Sequence, residues 1–76
     1  MPKLPRPREV ERVLRILKFH SVRQSGSHAV FKDSSGKRTT LPVHGGKTIS
    51  PGVFFSILKD LNLSEKDFWD MFKNIR

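Results

Sequence analysis

Apolar side chains recur at i, i+3, i+4 and i+7 from Val10 through Val13 and Leu14 to Leu17, with Glu11, Arg12, Arg15 and Lys18 between them. That spacing is one stripe of an amphipathic helix, predicted over residues 9–18. Before it, Pro2, Pro5 and Pro7 stand among Lys3, Arg6 and Arg8, so residues 1–8 read as an extended basic arm in which early helical hydrogen bonding is blocked. After Phe19 the period drops to two. Ser21–Gln24 is short and mixed, whereas Ser27–Lys32 alternates, with His28, Val30 and Lys32 on one side and Ala29 and Phe31 on the other. Ser25-Gly26 and Asp33–Lys37 have turn composition, Gly36 being free to take a positive φ. Arg38–Val43 resumes as a third strand that Pro42, lacking an N–H, ends or confines to a sheet edge.

His44–Ile49 reads as a connector. Ser50 then has the chemistry of an N-cap and Pro51 that of the first helical position, followed by the stripe Phe54, Ile57, Leu58 and Leu61, with Asn62 as a stop. Ser64 and Asp67 form a second cap, ahead of Phe68, Met71, Phe72 and Ile75 at the same helical spacing. No repeat or linker divides residues 9–76, which are read as a single domain. The order α-β-β-β-α-α predicts an α+β fold: a three-stranded antiparallel sheet with helices on one face, a short C-terminal helix, and the other face open to a ligand.

Composition narrows the function. A chain of 76 residues has room for one core, which excludes large multilayer enzymes. With no cysteine there is no disulfide, thiolate nucleophile or cysteine-based zinc site. Neither a membrane span nor a secretory signal is visible, so an intracellular, cytoplasmic protein is expected. Fifteen Lys and Arg against seven Asp and Glu leave a net charge of +8, a strong field for a chain this short. The excess is uneven: residues 1–18 and 19–50 each carry +4, residues 51–76 carry none, and between Lys18 and Ser50 the only acid is Asp33. Nucleic acid is the partner class this distribution favours.

The run Phe19-His20-Ser21-Val22-Arg23-Gln24-Ser25-Gly26-Ser27-His28-Ala29-Val30-Phe31 resembles the motif region of the HicA family, small messenger-RNA-cleaving toxins of bacterial and archaeal toxin–antitoxin pairs. The specific part is Arg23-Gln24 followed by Gly26-Ser27-His28, and the likeness continues through Gly36-Lys37-Arg38, Leu41–His44 and Pro51-Gly52 into Ser56–Lys59, over about residues 9–63. Lys18 stands where relatives often have glycine, and the third helix and basic arm extend past the usual unit. The resemblance implies a fold like the double-stranded RNA-binding domain (dsRBD-like, α-β-β-β-α). It also implies a sheet histidine needed for RNA cleavage and a HicB-like antitoxin that covers that surface.

His28 is the candidate catalytic residue. An imidazole titrates near neutrality and moves a proton at physiological pH. RNA supplies its own nucleophile: a base near the ribose 2′-hydroxyl promotes attack on the adjacent phosphorus, leaving a cyclic phosphate and a free 5′-hydroxyl without any metal. If Phe31 points into the helix layer, His28 faces out. Gly26 permits a sharp backbone entry and Ser27 can donate a hydrogen bond, so both are supporting candidates. His44 is the candidate acid partner for the leaving oxygen, ahead of His20. Arg23, Lys32, Lys37, Arg38 and Lys47 are the candidate RNA-binding cations, which offset charge on the phosphate and position the strand. Histidines at 20, 28 and 44 without acidic companions at ligand spacing do not make a zinc site, and no cofactor or metal is expected.

The residues alone leave the bland reading of His28 open, that of a polar side chain on an exposed strand. The flanking cations and the family resemblance favour catalysis. Two other functions remain at this point: a non-catalytic double-stranded-RNA-binding module of the same fold, and a protein-interaction adaptor whose charge is incidental. Gly45-Gly46-Lys47-Thr48 lacks the leading glycine and helix register of a phosphate loop. Phe55 and Trp69 lie off the helical stripes, either as an exposed apolar patch for a protein partner or as filling for the junction of the last two helices.

Overall fold

Pro7 opens the first helix, because a ring-locked φ and a missing N–H cost nothing at the first helical position. Glu9 reaches back so that its carboxylate accepts the Arg6 backbone N–H at 2.8 Å, and the element runs over Pro7–Ile16 as α1. It begins and ends two residues earlier than the hydrophobic spacing predicts. The early end has a local cause: Lys18 takes a left-handed φ of 70°. The Lys18 N–H then reaches the Arg15 carbonyl at 3.1 Å and the Phe19 N–H the Leu14 carbonyl at 2.9 Å, a Schellman closure that suits glycine best.

The computed structural model describes residues 3–43 and 47–74. After α1 come β1 (His20–Ser25), β2 (His28–Lys32), β3 (Arg38–Pro42), α2 (Pro51–Leu61) and α3 (Glu65–Lys73). The strands form one antiparallel sheet in the order β1-β2-β3, so the expected α+β architecture with its extra C-terminal helix is the observed one. Two short turns set the registers. Gly26, at φ 59°, carries the two-residue turn that puts Ser25 opposite His28. Between Ser21 and Arg23 the ladder shifts, and the bulge leaves Val22 about half exposed. The β2–β3 turn is built by Asp33, whose Oδ1 accepts from the Ser35 N–H at 3.0 Å, the Ser35 hydroxyl at 2.8 Å and the Lys37 N–H at 2.9 Å.

Both C-terminal helices start at the caps the sequence indicates. Ser50 Oγ accepts from the Val53 N–H, and Ser64 and Asp67 exchange reciprocal hydrogen bonds as a capping box. Asn62, at φ 58°, closes α2. Of the α3 stripe, Phe68 is buried and Met71 and Phe72 are half-buried, while Ile75 lies outside the described residues.

The core lies between the sheet and the helices. Val10, Val13 and Leu14 of α1, Ala29 and Phe31 of β2, Leu41 of β3, Phe54, Ile57, Leu58 and Leu61 of α2, and Phe68 of α3 are all buried. Thr39 is the one buried polar side chain among the described residues, and its hydroxyl donates to Asp60 Oδ2 at 2.9 Å, tying β3 to α2. Trp69 packs edge-on against Phe68 and Phe72, at ring separations of 5.0 and 5.8 Å, and so belongs to the helical junction, whereas Phe55 stays exposed. The proline-rich segment packs on the same layer. Pro5 is fully buried, its carbonyl accepts the Ile49 N–H at 2.9 Å, and the Lys3 ammonium lies 4.8 Å from the centre of the Trp69 ring.

Lys18 holds a conformation that costs an L-residue roughly 1–2 kcal/mol. After allowance for the greater chain entropy glycine brings to the unfolded state, Lys18→Gly is expected to stabilise the fold by about 0.5–1 kcal/mol. Thermal unfolding should show a midpoint raised by a few degrees; a lowered midpoint would mean that the lysine makes an interaction in the folded state that this account lacks.

Candidate nucleic-acid interface

The alternation of β2 sets the site. Ala29 and Phe31 are 2% exposed, so His28 and Lys32 are delivered to the opposite, open face. Cross-strand neighbours share a face, which extends the surface into rows. His28 is flanked by Ser25 and Pro42, Val30 by Arg23 and Thr40, and Lys32 by His20 and Arg38. All of β1 is exposed, as are Arg38 and Thr40 of β3.

Two depressions meet at His28. One, of about 420 Å³, lies on the open face and is lined by Val22, Arg23, Ser25, His28, Val30 and Arg38. The other, of about 290 Å³, lies between the end of β3 and the start of α2 and is lined by His28, Thr40, Pro42, Gly52, Val53, Ser56 and Ile57. The first carries two guanidinium groups, whereas the second has no charged side chain apart from the ionisable His28.

The sequence-predicted residues divide accordingly. Arg23 and Arg38 join His28 in one depression, and Lys32 lies on the same face one row beyond Val30. Gly26 and Ser27 form the turn just before His28, and the Ser27 carbonyl accepts the Val43 N–H at 2.7 Å, which ties that turn to the end of β3. No neighbouring atom lies within 4 Å of a Cβ built on Gly26, so glycine is needed there for its positive φ and not for space. Lys37 is exposed at the far turn, beyond Lys32, and Lys47 is exposed in the connector, and neither is among the residues that line these two depressions. His20, opposite Lys32, is at the other end of β2, four residues or about 13 Å from the His28 row. His44 lies outside the described residues. Ser25, Thr40, Pro42, Gly52 and Ser56 are the site residues the sequence reading missed. A two-residue turn after Ser25 already implies the Ser25–His28 pairing; the approach of α2 is a tertiary fact with no local signal.

Electrostatically the face is one-sided. Among the described residues of the three strands and their turns, Asp33 is the only acid, and it is engaged by its own turn. Desolvation, the largest single effect, pushes its carboxyl up, but the Ser35 hydroxyl, the Lys37 and Ser35 amides and the Lys37 charge together outweigh it and hold the group below its ordinary range. Among the described residues no three His, Asp or Glu side chains converge as metal ligands, and no helix is long and apolar enough to cross a membrane.

Residues 7–63 match the family model described as the HicA toxin of bacterial toxin–antitoxin systems, and with most of the chain matched, the protein belongs to that family. It is accordingly the toxin component of such a pair, and the family implies a HicB-like antitoxin as its partner. No curated protein matches the chain. The matched span includes α1, the whole sheet and α2, and so every residue that lines the two depressions; α3 lies beyond it.

The Asp33 turn gives a pH dependence of defined sign. Its folded-state pKa lies below the unfolded one, so its stabilisation is present above the unfolded value and is lost as pH falls through the lowered folded value. Carboxyl titration followed by nuclear magnetic resonance should give Asp33 a midpoint below the ordinary 3.8, and Asp33→Ala should remove the acid-side loss of turn order. A midpoint at or above 3.8 contradicts the hydrogen-bonded turn.

Proposed function

We propose that this toxin is a metal-independent endoribonuclease that cleaves messenger RNA in the cytoplasm, with His28 as the general base or acid. The observation that carries the reading is the placement of an exposed imidazole on the open sheet face, in one depression with Arg23 and Arg38 and with no carboxylate on that face among the described residues.

The chemistry follows from what these groups can do. The His28 imidazole takes the proton of a ribose 2′-hydroxyl as that oxygen attacks the adjacent phosphorus. The P–O5′ bond breaks, leaving a 2′,3′-cyclic phosphate on one fragment and a 5′-hydroxyl on the other, whose oxygen gains a proton. In the other role, His28 delivers that proton to the leaving oxygen. Arg23 and Arg38 offset the charge that grows on the phosphoryl oxygens, where a guanidinium can donate two parallel hydrogen bonds. Lys32, Lys37 and Lys47 contribute attraction along the strand, and Ser27 and Gly26 hold the backbone at the entry to β2. His44 is the proposed proton partner on the segment after β3. The HicB-like antitoxin would act by covering this face.

Purified protein in excess chelator should cut single-stranded RNA into fragments ending in cyclic phosphate and 5′-hydroxyl groups. His28→Ala should slow cleavage by about 10²–10⁴-fold while RNA affinity stays within about threefold. Arg23→Ala and Arg38→Ala should each weaken binding and shrink the slope of log affinity against log salt by about 0.7. Cleavage by His28→Ala at the wild-type rate, or cutting at a 2′-deoxy position, would remove the basis for this mechanism.

A further inference from the structure

The mechanism above uses only one of the two depressions that His28 borders. The second is bounded by Thr40 and Pro42 at the end of β3 and by Gly52, Val53, Ser56 and Ile57 on the first two turns of α2. Its chemistry differs from that of the first. Arg23 and Arg38 line the sheet-face depression, whereas the β3–α2 cleft offers two hydroxyls, Thr40 and Ser56, set among apolar walls. Thr40 and Ser56 are exposed, and among the described residues neither hydroxyl is taken up in a hydrogen bond. Gly52 adds no side chain, and a Cβ there would meet nothing within 4 Å, so the floor is open.

We infer that this cleft receives one unpaired nucleobase of the RNA strand whose phosphate lies over His28 and the arginines. The inference rests on the ribonuclease reading and adds to it the form of the substrate. Three considerations select a base. A phosphate finds little here: the cleft holds no lysine or arginine, and in the first turn of α2 Pro51 has no N–H while those of Val53 and Phe54 are taken by Ser50. A base has flat faces that the Pro42 and Val53 side chains can contact and a polar edge that a hydroxyl can meet as either donor or acceptor. The volume, about 290 Å³, lies near the lower end for small-molecule sites, roughly 300 Å³, which suits a single base and not a base pair. Because one imidazole borders both depressions, a base seated beside α2 and a phosphate over the sheet would come from adjoining parts of one strand. A base held in a duplex is stacked and paired and cannot enter, so the toxin would select single-stranded or locally opened RNA despite a fold associated with double strands.

The test is binding of 2′-O-methyl RNA hexamers, which cannot cyclise, to the full chain, with one abasic position stepped along the strand. Ser56→Ala and Thr40→Val each remove one exposed hydroxyl, Ser56→Leu fills the cleft, and circular dichroism checks that each variant folds. Each hydroxyl loss should weaken binding of the preferred hexamer by about threefold to tenfold, with no change in the salt slope. One abasic position should produce a comparable loss in the wild type and none in Ser56→Leu, the non-additivity expected of groups that touch. The pre-annealed duplex of the same sequence should bind more weakly than the single strand. Unchanged affinity in all three variants, a loss accompanied by a smaller salt slope, or duplex binding equal to single-strand binding would overturn the assignment. A chain that binds hexamers as described but never cuts unmodified RNA would fail the ribonuclease reading and leave the base site standing. A chain that cuts RNA but is indifferent to all three variants would do the reverse.

Discussion

The structure depends on the burial of Phe31. Seating that ring, with Ala29 two residues before it, against the helical layer fixes which side of β2 is inside. Full burial of a phenylalanine side chain stabilises by roughly 1.5–3 kcal/mol. A one-residue slip would lose that term and bring His28 and Lys32 into the core, since every side chain of a strand changes face together. The turns at both ends hold the register: Gly26 with its positive φ closes one hairpin, and the Asp33 carboxylate organises the other. The outward placement of His28 is therefore a consequence of packing on the far side of the sheet.

Charge is distributed by the same division. The described acids outside the β2–β3 turn lie on the helices, where Glu11 pairs with Arg15 and Asp70 with Lys66, four residues apart. Such exposed, solvent-screened pairs contribute little to stability, but they neutralise the helical surface locally. On the sheet face Arg23, Lys32 and Arg38 have no acidic neighbour on their own strands. The net charge of +8 thus becomes a directional field, which attracts a polyanion to the side that carries the imidazole.

Much of this was legible from residue order. The helical stripes, the Ser50-Pro51 and Ser64–Asp67 starts and the alternation of Ala29 and Phe31 with His28 and Lys32 are local signals, and the fold obeys them. What was misread has specific causes. Proline at position 7 looks like a helix breaker but occupies the first helical position, where no N–H is needed. Lys18 ends α1 in a conformation that nothing about lysine announces. Phe55 and Trp69 look alike on a helical wheel, yet Trp69 packs among Phe68, Phe72 and Lys3, whereas Phe55 meets the Phe54 ring and stays about half exposed. The second wall of the site, Gly52 and Ser56, exists because the Thr39–Asp60 hydrogen bond and the core draw α2 against β3, a contact between residues 21 apart. Likeness to HicA sequences pointed to His28, but only the fold shows that it separates a cationic surface from a neutral one.

The most direct test of that organisation is to follow the His28 imidazole and the backbone amides by nuclear magnetic resonance while 2′-O-methyl RNA is added to saturation. With RNA seated on the open face, the His28 ring signals move together with the amides of Arg23, Ser25 and Arg38, and those of α1 and α3 stay in place. Shifts confined to α1 and α3, with the His28 ring unmoved, would put the RNA on the wrong side of the sheet and contradict the account.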